Sequence, residues 1–318
     1  MAKIKTEWYV IVNPRAGSGK TMSKWIPAEE KLTRMGVPFY TVFTTHKHHA
    51  TELAASAARM GYRRIMAVGG DGSLHEVFEG IVSWCWGNGV DPSDFYVAVM
   101  PIGSGNDWIK SFKVPDDPDE VVELLAAESF ATQDIVRVDM ADSQCSYMAN
   151  IGGVGFDSHV CVRVNRQKER GMRNKRIYLN ALMHTICTLR AINVSVVADG
   201  SVIFSGPCFS IAMGNGRHSG GCLKQTPLAD TDDGLLDVAV IPKMKVLDIL
   251  RELPYLLKGR INESDKVIYT QCRRLQIAPL DGDSADVVEL DGELVGNLPL
   301  QASVSGMKIN VLTGVTKR

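Results

Sequence analysis

The segment RIMAVGGDGS, residues 64–73, decides the fold of the first third of the chain. Its first half is a short apolar strand, and its second half is a glycine-rich turn leading into a helix expected to begin near Leu74. Glycines permit close approach of the backbone to a ligand, and small residues between a strand and a helix let backbone N–H groups bind phosphate oxygens. Ser73 is the expected N-cap of that helix, with Glu76 as its capping-box partner.

The same alternation of strand and helix continues on both sides of this turn. Apolar, strand-like runs occur at 8–13, 39–45, 64–68 and 96–100, with helical patterns between them at 21–35, 50–60 and 73–84. Apolar strands interleaved with helices are typical of a parallel sheet that helices cover on both faces. Ligands of such sheets bind at the carboxyl ends of the strands, where three glycine-bearing turns fall: 13–19, 69–73 and 101–107.

The sequence pattern changes after about residue 130. Short β-branched runs separated by turns predict a mainly antiparallel second domain, a β-sandwich. Since single domains usually hold about 100–200 residues, two domains are expected in this chain. We expect an α/β domain at 1–132 and a β-rich domain at 133–304, with the tail 305–318 packing back on the first.

Composition argues against several classes of function. The chain has 35 basic and 36 acidic residues, whereas nucleic-acid binding requires a basic surface. Its 7 cysteines form no CxxC pair, so neither a zinc site nor a disulfide framework is expected, and a reducing compartment is favoured. The longest apolar stretch, Ile177–Leu189, is interrupted by Asn180 and His184 and is shorter than the ~20 residues of a membrane-spanning helix.

Two standard nucleotide-binding motifs do not match. The segment 13–21 ends like a Walker A motif, but Pro14 stands where that motif requires its first glycine. The segment 103–105 is followed by Trp108 where a dinucleotide-binding fingerprint requires a third glycine. Asp71 carries a separate expectation, because a carboxylate in a phosphate-facing turn is unfavourable unless a cation such as Mg²⁺ offsets the repulsion.

Five motifs recur in a familiar order: NPRAG at 13–17, GGDGSLH at 69–75, PIGSGND at 101–107, DTDDGLL at 230–236 and DGE at 291–293. Together they resemble the diacylglycerol kinase catalytic-domain family, the soluble bacterial lipid kinases and their sphingosine kinase relatives. The resemblance implies a first domain similar to those of phosphofructokinases and NAD kinases, followed by a β-rich domain. It also implies an ATP-dependent kinase for the hydroxyl of a membrane lipid alcohol, with diacylglycerol the leading acceptor and phosphatidic acid the product.

The resemblance assigns the nucleotide site to the three turns and to Thr44, which follows the second strand. The implied ATP-binding residues are Asn13, Pro14, Arg15, Ala16, Gly17, Thr44, Gly69, Gly70, Asp71, Gly72, Ser73, Leu74, His75, Gly103, Ser104, Asn106 and Asp107. Ser73 and Ser104 stand where threonine is common in the family, and both keep the hydroxyl group.

Mg²⁺ is the second implied cofactor. From the residues alone, the acidic segment before Leu235 is either a solvated turn or a site for a hard cation. The resemblance favours a metal site at Asp230, Asp233 and Leu235, with the Asp233 side chain and the backbone oxygens of the other two as ligands. It implies a water-bridged network between this metal and the nucleotide: Asp71, Asp107 and Asp139.

A hydroxyl acceptor needs a base within hydrogen-bonding reach to take its proton as phosphorus is attacked. By similarity Glu293 is that base, with Asp291 as the alternative or as its orienting partner. Asp71 completes the implied catalytic set. From the residues alone, an exposed Asp-Gly hairpin turn remains the alternative for 291–293.

Two further clusters of basic residues and histidines lie outside these motifs. Residues 163–176 hold seven basic residues and one acidic residue, which indicates either a solvated helix face or a docking patch for anionic lipid headgroups. If the segment is a docking patch, we expect a cytoplasmic enzyme that associates transiently with membranes. His46, His48 and His49 suggest a metal, but no further ligand group is recognised at a useful spacing, so a solvated loop near the nucleotide is favoured.

Other functions remain alternatives. The acceptor is open between diacylglycerol, a sphingoid base and ceramide. NAD kinases share the Gly-Gly-Asp-Gly turn, but they carry an Asn-Glu pair for the ribose of their substrate, to which 106–107 is only a rough analogue. A nucleotide-binding or lipid-binding protein without turnover has little need of Asp71, Asp233 and Glu293 together. The oligomeric state is open, a homodimer being one alternative.

Overall fold

The computed structural model describes residues 3–103, 105–141, 145–169, 181, 184–185, 188, 190–221, 223–280 and 286–314. The side chains of 168, 169, 246 and 250 are not described. The chain divides into two compact units: Met1–Ile135 with Gly306–Arg318, and Val136–Ser305.

The first unit contains most of the helices. Its elements are β1 (Lys5–Val12), α1 (Thr21–Arg34), β2 (Phe39–Phe43), α2 (His49–Arg59), β3 (Tyr62–Gly69), α3 (Asp71–Asn88), β4 (Tyr96–Pro101), α4 (Trp108–Phe112) and α5 (Pro118–Ala126). The chain leaves this unit within β5 (Phe130–Met140) and returns to it within β15 (Leu300–Leu312).

The sheet of the first unit is parallel, in the order β2-β1-β3-β4-β15. Successive residues of a strand point to opposite faces, and the carboxyl-terminal halves of β1, β3 and β4 are buried at every position. Continuous burial of this kind requires cover on both faces, which explains the unbroken apolar runs in the sequence. Helix α1 packs against α5, and α2 packs against α3.

The second unit is mainly β-structure. Its further elements are β6 (Cys145–Met148), β7 (Ile151–Gly155), α6 (Phe156–Glu169), β8 (Ile192–Ala198), β9 (Ser201–Gly214), β10 (Leu236–Pro242), α7 (Val246–Lys258), β11 (Ile268–Cys272), β12 (Arg274–Pro279), β13 (Val287–Leu290) and β14 (Glu293–Asn297). Every recorded strand pair of this unit is antiparallel, along the path β14-β13-β7-β9-β8-β12-β15, with β10 joined to β9 and β11, and β5 to β6.

Alternating burial shows how the second unit builds its core. In β8, Ile192, Val194, Val196 and Ala198 are buried and the residues between them are partly exposed, as expected for a strand with one covered face. Side chains from β9, β10, β12 and β13 join the same cluster. The predicted fold class, a parallel α/β part followed by a mainly antiparallel β-sandwich, is confirmed.

Most of the apolar stretch Ile177–Leu189 lies outside the described residues. Among the helices that the structure describes, none combines the length and the hydropathy needed to cross a membrane.

Candidate functional site

Three glycine-bearing turns follow neighbouring strands of the first unit and pack against one another. We call 13–19, 69–73 and 101–107 the phosphate turns. A side chain at Gly17, which has a φ of 54°, would collide with the carbonyl oxygen of Ile102. A Cβ at Gly70 would lie 3.1 Å from the Cα of Gly103. The close approach of the turns therefore excludes a side chain at Gly17 and leaves little room for one at Gly70.

Asn13 joins the first turn to the second. Its side-chain amide donates to the Ser73 hydroxyl at 3.1 Å, and its side-chain oxygen accepts the Arg15 N–H at 3.0 Å. Its backbone N–H donates to Val68 at 3.0 Å, at the end of β3. With both ends of the amide occupied, Asn13 positions the two turns relative to each other.

Helix α3 begins at Asp71, two residues before the predicted N-cap Ser73. Gly70 is the N-cap, and its carbonyl accepts the N–H groups of Ser73 and Leu74 at 2.9 and 3.1 Å. The predicted capping box of Ser73 and Glu76 is therefore wrong. The reason is tertiary, because the Ser73 hydroxyl accepts from Asn13 and the Glu76 carboxylate accepts two N–H groups at the start of α2.

Asp71 is held by the start of the next helix. One oxygen of its carboxylate accepts the backbone N–H of Asp107 at 2.8 Å and that of Trp108 at 3.3 Å. Backbone N–H groups at a helix start favour a negative charge, so they supply part of the compensation that we expected from a cation. The carboxylate of Asp107 is itself paired with Lys110, with 2.6 Å between nitrogen and oxygen.

The third phosphate turn is closed by Asn106, whose φ of 49° lies in the left-handed region. Its side-chain oxygen accepts the Gly103 N–H at 3.0 Å, and its amide donates to the Gly103 carbonyl and to Asp116, both at 3.3 Å. These bonds make Asn106 a clamp for its own turn. Ser104, the predicted hydroxyl of this turn, lies outside the described residues.

The other predicted nucleotide contacts lie close in sequence to these turns. Thr44 is partly exposed directly after β2, and its N–H donates to the Val12 carbonyl at 2.9 Å, at the end of β1. Leu74 and His75 are buried in the first turn of α3. Their side chains therefore belong to the packing beneath the turn.

The predicted metal segment of the second unit forms two short side-chain turns. The Asp232 N–H donates to Asp230 at 3.2 Å, and the Leu235 N–H donates to Asp233 at 2.9 Å. Each bond uses one carboxylate oxygen, and both aspartates are exposed. No described residue donates to the second oxygen of either carboxylate. These oxygens remain available to a hard cation.

Asp139, the third member of the predicted water-bridged network, is engaged in an ion pair. The Arg137 guanidinium contacts its carboxylate through two nitrogens, with the shortest distance 2.7 Å. A bidentate pair of this kind restrains the carboxylate in one orientation. Asp139 belongs to the second unit, whereas Asp71 and Asp107 belong to the first.

The two candidate bases in the turn at 291–293 differ in their hydrogen-bond partners. Asp291 has a φ of 53°, and its carboxylate accepts the N–H groups of Ala149, Asn150 and Ile151 at 2.9, 2.7 and 3.2 Å. Three backbone donors hold this carboxylate in place and occupy its lone pairs. Glu293 is partly exposed, and no residue in the described ranges donates a hydrogen bond to its carboxylate.

Beneath this turn lies Glu289, which the sequence reasoning did not single out. It is 8% exposed, and one of its oxygens accepts the Gly292 N–H at 2.5 Å. Burial raises the pKa of Glu289 well above its ordinary value, and the charge of Asp157 raises it further. Burial also raises the pKa of Asp157, against hydrogen bonds from Gln225 and Ser210 that lower it. The signal in the sequence was a carboxylate within the apolar run VVEL.

Glu289→Gln is expected to flatten the dependence of stability on pH. Because folding raises the pKa of Glu289, its contribution to the free energy of unfolding is full below the ordinary pKa of 4.5 and is lost as pH rises through the folded-state pKa. Glutamine carries no charge, so the variant should lose less stability than the wild type between about pH 5 and 8. Denaturant midpoints across this range measure the difference.

Asp265→Asn is the control for this measurement, because it neutralises an exposed carboxylate of the same unit. Identical pH profiles for Glu289→Gln and the wild type would show that Glu289 does not hold a proton in the folded state.

The basic segment 163–176 is described only up to residue 169. Arg163 and Arg166 line a cavity of about 490 Å³ together with Arg190 and His159. Thr185 also lines it, and no described residue bonds the buried Thr185 Oγ1 or the Arg163 Nε. The cavity therefore combines positive charge with two polar atoms that no described residue bonds, which suits an anionic ligand.

Comparison with known protein families matches both units. A family model described as the diacylglycerol kinase catalytic domain matches residues 7–138, and one described as the YegS C-terminal NAD kinase beta sandwich-like domain matches residues 151–313. The chain belongs to the diacylglycerol kinase family. It is thus a phosphotransferase with an alcohol acceptor, and ATP is the phosphate donor that this family of kinases implies.

Individual relatives of this family member cover almost its whole length. It is 26% identical over 303 residues to a protein named diacylglycerol kinase from Mycobacterium tuberculosis, covering 95% of this chain and 93% of that protein. It is 25% identical over 293 residues to a diacylglycerol kinase of Bacillus subtilis, covering 91% and 90%. A solved structure of a diacylglycerol kinase from Bacillus anthracis matches the fold with a TM-score of 0.71 at 19% identity, covering 97% of each chain.

Proposed function

We propose that this kinase transfers the terminal phosphate of ATP to the hydroxyl of diacylglycerol and thereby forms phosphatidic acid. The packing of the three phosphate turns at the carboxyl ends of β1, β3 and β4 carries the proposal. Their backbone N–H groups and the start of α3 favour negative charge, as a transferring phosphate requires. Phosphoryl transfer depends mainly on positioning and charge stabilisation, which such turns supply.

Within this site we assign different tasks to backbone and side chains. The proposed nucleotide contacts are those that the resemblance implies, in 13–17, 69–75 and 103–107 together with Thr44. The amides of Asn13 and Asn106 are occupied by bonds within and between the turns, so we assign them to positioning. The direct phosphate ligands are then backbone N–H groups of the turns other than those of Gly19 and Gly103, which donate to Ala16 and Asn106.

We propose Mg²⁺ as the metal cofactor, bound at Asp230, Asp233 and Leu235. The second side-chain oxygen of Asp233 fits this role, because no described residue donates to it and hard cations prefer oxygen ligands; the backbone oxygens of Asp230 and Leu235 are the other proposed ligands. When bound, the ion offsets the negative charge of the phosphates. Asp71, Asp107 and Asp139 remain the proposed water-bridged network around it.

Glu293 is the proposed general base. Its carboxylate has no hydrogen-bond donor among the described residues, so it is available to accept the proton of the lipid hydroxyl. Asp291 is the proposed positioning residue, because three backbone N–H groups occupy its carboxylate. We further propose that residues 1–132 bind the nucleotide and residues 133–304 bind the metal and the lipid acceptor.

The test is a transfer assay with radiolabelled ATP against diacylglycerol, a sphingoid base, ceramide and NAD, each with and without Mg²⁺. We expect labelled phosphatidic acid, and dependence of its formation on Mg²⁺. Preferential labelling of the sphingoid base or ceramide would contradict diacylglycerol as the acceptor but would still support a lipid kinase. Labelling of NAD alone would overturn the lipid proposal.

We also propose that the cavity lined by Arg163, Arg166 and Arg190 receives the anionic headgroup of a membrane phospholipid. It lies at the described end of the basic segment 163–176, and positive charges near an anionic membrane contribute about 1 kcal/mol each. This contact would hold a kinase without a described membrane-spanning helix at the surface where its acceptor resides.

Reversing both charges, as Arg163→Glu with Arg166→Glu, is expected to weaken binding to vesicles containing anionic phospholipid by at least about thirtyfold. Activity on diacylglycerol dispersed in neutral detergent should stay near that of the wild type. Vesicle sedimentation measures the first effect and the transfer assay the second. Arg273→Glu with Arg274→Glu is the matched control, because this exposed pair lies outside the cavity. Equal loss in both double variants would indicate non-specific attraction.

A further inference from the structure

We propose that His46, His49 and Glu52 form a binding site for a divalent transition metal such as Zn²⁺. The sequence suggested the two histidines but no further ligand group, and folding supplies it. Glu52 lies in the first turn of α2, three residues after His49, and i and i+3 share a helix face. The ligand atoms of the three side chains all lie within 4.8 Å of one another.

One pair of ligand atoms in the site already has the separation that zinc requires. Ligand atoms about 2.0–2.1 Å from a tetrahedral Zn²⁺ lie about 3.3–3.4 Å from each other. His46 Nε2 and Glu52 Oε1 are 3.3 Å apart. The His46 and His49 rings are stacked, and no pair of ligand atoms is more than 4.8 Å apart, so a movement of His49 by up to about 1.5 Å completes the set.

Thr45 holds both rings in place. Its hydroxyl lies 3.0 Å from His46 Nδ1, and its backbone N–H donates to His49 Nδ1 at 3.1 Å. A hydrogen-bond partner on the ring nitrogen that does not bind the metal orients a metal-binding histidine. The Thr45 hydroxyl is such a partner for His46. A metal at His49 Nδ1 would replace the Thr45 N–H, which is exposed and can bond water instead.

The chemistry of these ligands separates the site from the proposed Mg²⁺ site. Two imidazoles and one carboxylate suit Zn²⁺ and its neighbours, whereas Mg²⁺ prefers oxygen ligands. The remaining zinc positions are open to water because His46 and Glu52 are exposed. An open three-ligand site of this kind binds a metal reversibly.

The site lies at the start of α2, which is bonded to α3, the helix that follows the second phosphate turn. The N–H groups of His48 and Ala50 donate to the Glu76 carboxylate on α3, both at 3.1 Å, and Thr44 directly precedes the loop. Metal binding is therefore expected to change the affinity for ATP. This link rests on the proposed function, whereas metal binding itself does not, so binding is tested without nucleotide.

The experiment is isothermal titration calorimetry of the untagged protein with ZnCl₂, in the presence of excess Mg²⁺ and a phosphine reductant, because a thiol reductant would itself bind zinc. We expect one micromolar site in the wild type and a loss of affinity of at least about tenfold in His46→Ala and in Glu52→Ala. His48→Asn is the control, because His48 has a φ of 62° that asparagine tolerates, and it lies outside the cluster.

Two results would overturn the proposal. The first is no zinc binding by the wild type. The second is equal affinity in the wild type, His46→Ala and Glu52→Ala, which would place the zinc elsewhere, for example on cysteines. A zinc-dependent rise of the melting temperature in the wild type and His48→Asn, absent from the other two variants, gives an independent readout and shows that all four proteins fold.

Discussion

Asp71→Ala is expected to abolish phosphate transfer, with a loss of at least about 10²–10³-fold in kcat. The Asp71 carboxylate accepts the N–H groups of Asp107 and Trp108, so it connects the second phosphate turn to the third. Alanine removes this connection and also removes the charge that we assign to the metal network. The transfer assay on purified, folded protein measures the loss.

Asp71→Asn separates these two contributions. Asparagine keeps a side-chain oxygen for the two N–H groups but carries no charge. A loss in Asp71→Asn close to that in Asp71→Ala would assign the effect to the charge, and nearly normal activity would assign it to the geometry of the turns. Asp119→Asn, at an exposed position of α5, is the control and should behave as wild type. Normal turnover by folded Asp71→Ala would contradict the phosphate-turn assignment.

Glu293→Gln is expected to retain ATP binding and to lose turnover by about 10²–10⁴-fold, the usual contribution of general acid–base catalysis. Glutamine has nearly the shape of glutamate but cannot take the proton of the acceptor hydroxyl. ATP affinity from calorimetry and kcat from the transfer assay distinguish binding from chemistry. Asp265→Asn, an exposed carboxylate of the same unit, is the control.

Asp291→Asn gives the complementary result. Because the Asp291 carboxylate accepts three backbone N–H groups at a residue with positive φ, we expect its loss to lower the melting temperature as well as activity. If Glu293→Gln keeps its turnover while a stable Asp291→Asn loses it, Asp291 is the base and our assignment of the two carboxylates is reversed.

Much of the fold could be predicted because it depends on local pattern. Apolar runs that are buried on both faces appear as unbroken β-branched strands, and the glycine turns between strands and helices lie at their expected positions. The helix start at Asp71 could not be predicted in the same way. Ser73 and Glu76 have the spacing of a capping box, but Asn13 and the N–H groups of His48 and Ala50 compete for the same side chains.

The candidate site shows the same division. Gly17, Gly70 and Gly103 were predicted from the turns, and their close approach in the structure gives the reason for glycine. Glu289 was missed because a carboxylate in an apolar strand carries no pattern of its own, and its raised pKa depends on burial and on Asp157, far away in sequence. Glu52 was missed as a metal ligand because only the loop conformation brings it to His46.

By itself, the sequence determined the parallel α/β part, the mainly antiparallel second part and the order of the phosphate and carboxylate motifs. These properties follow from hydrophobic periodicity and from glycine, which act over a few neighbouring residues. Only the tertiary structure decided which polar groups are occupied and which are free. It occupies Asp291 with backbone N–H groups and leaves Glu293 without a described donor. A hydrogen bond depends on atoms that meet in space, and residues distant along the chain supply them.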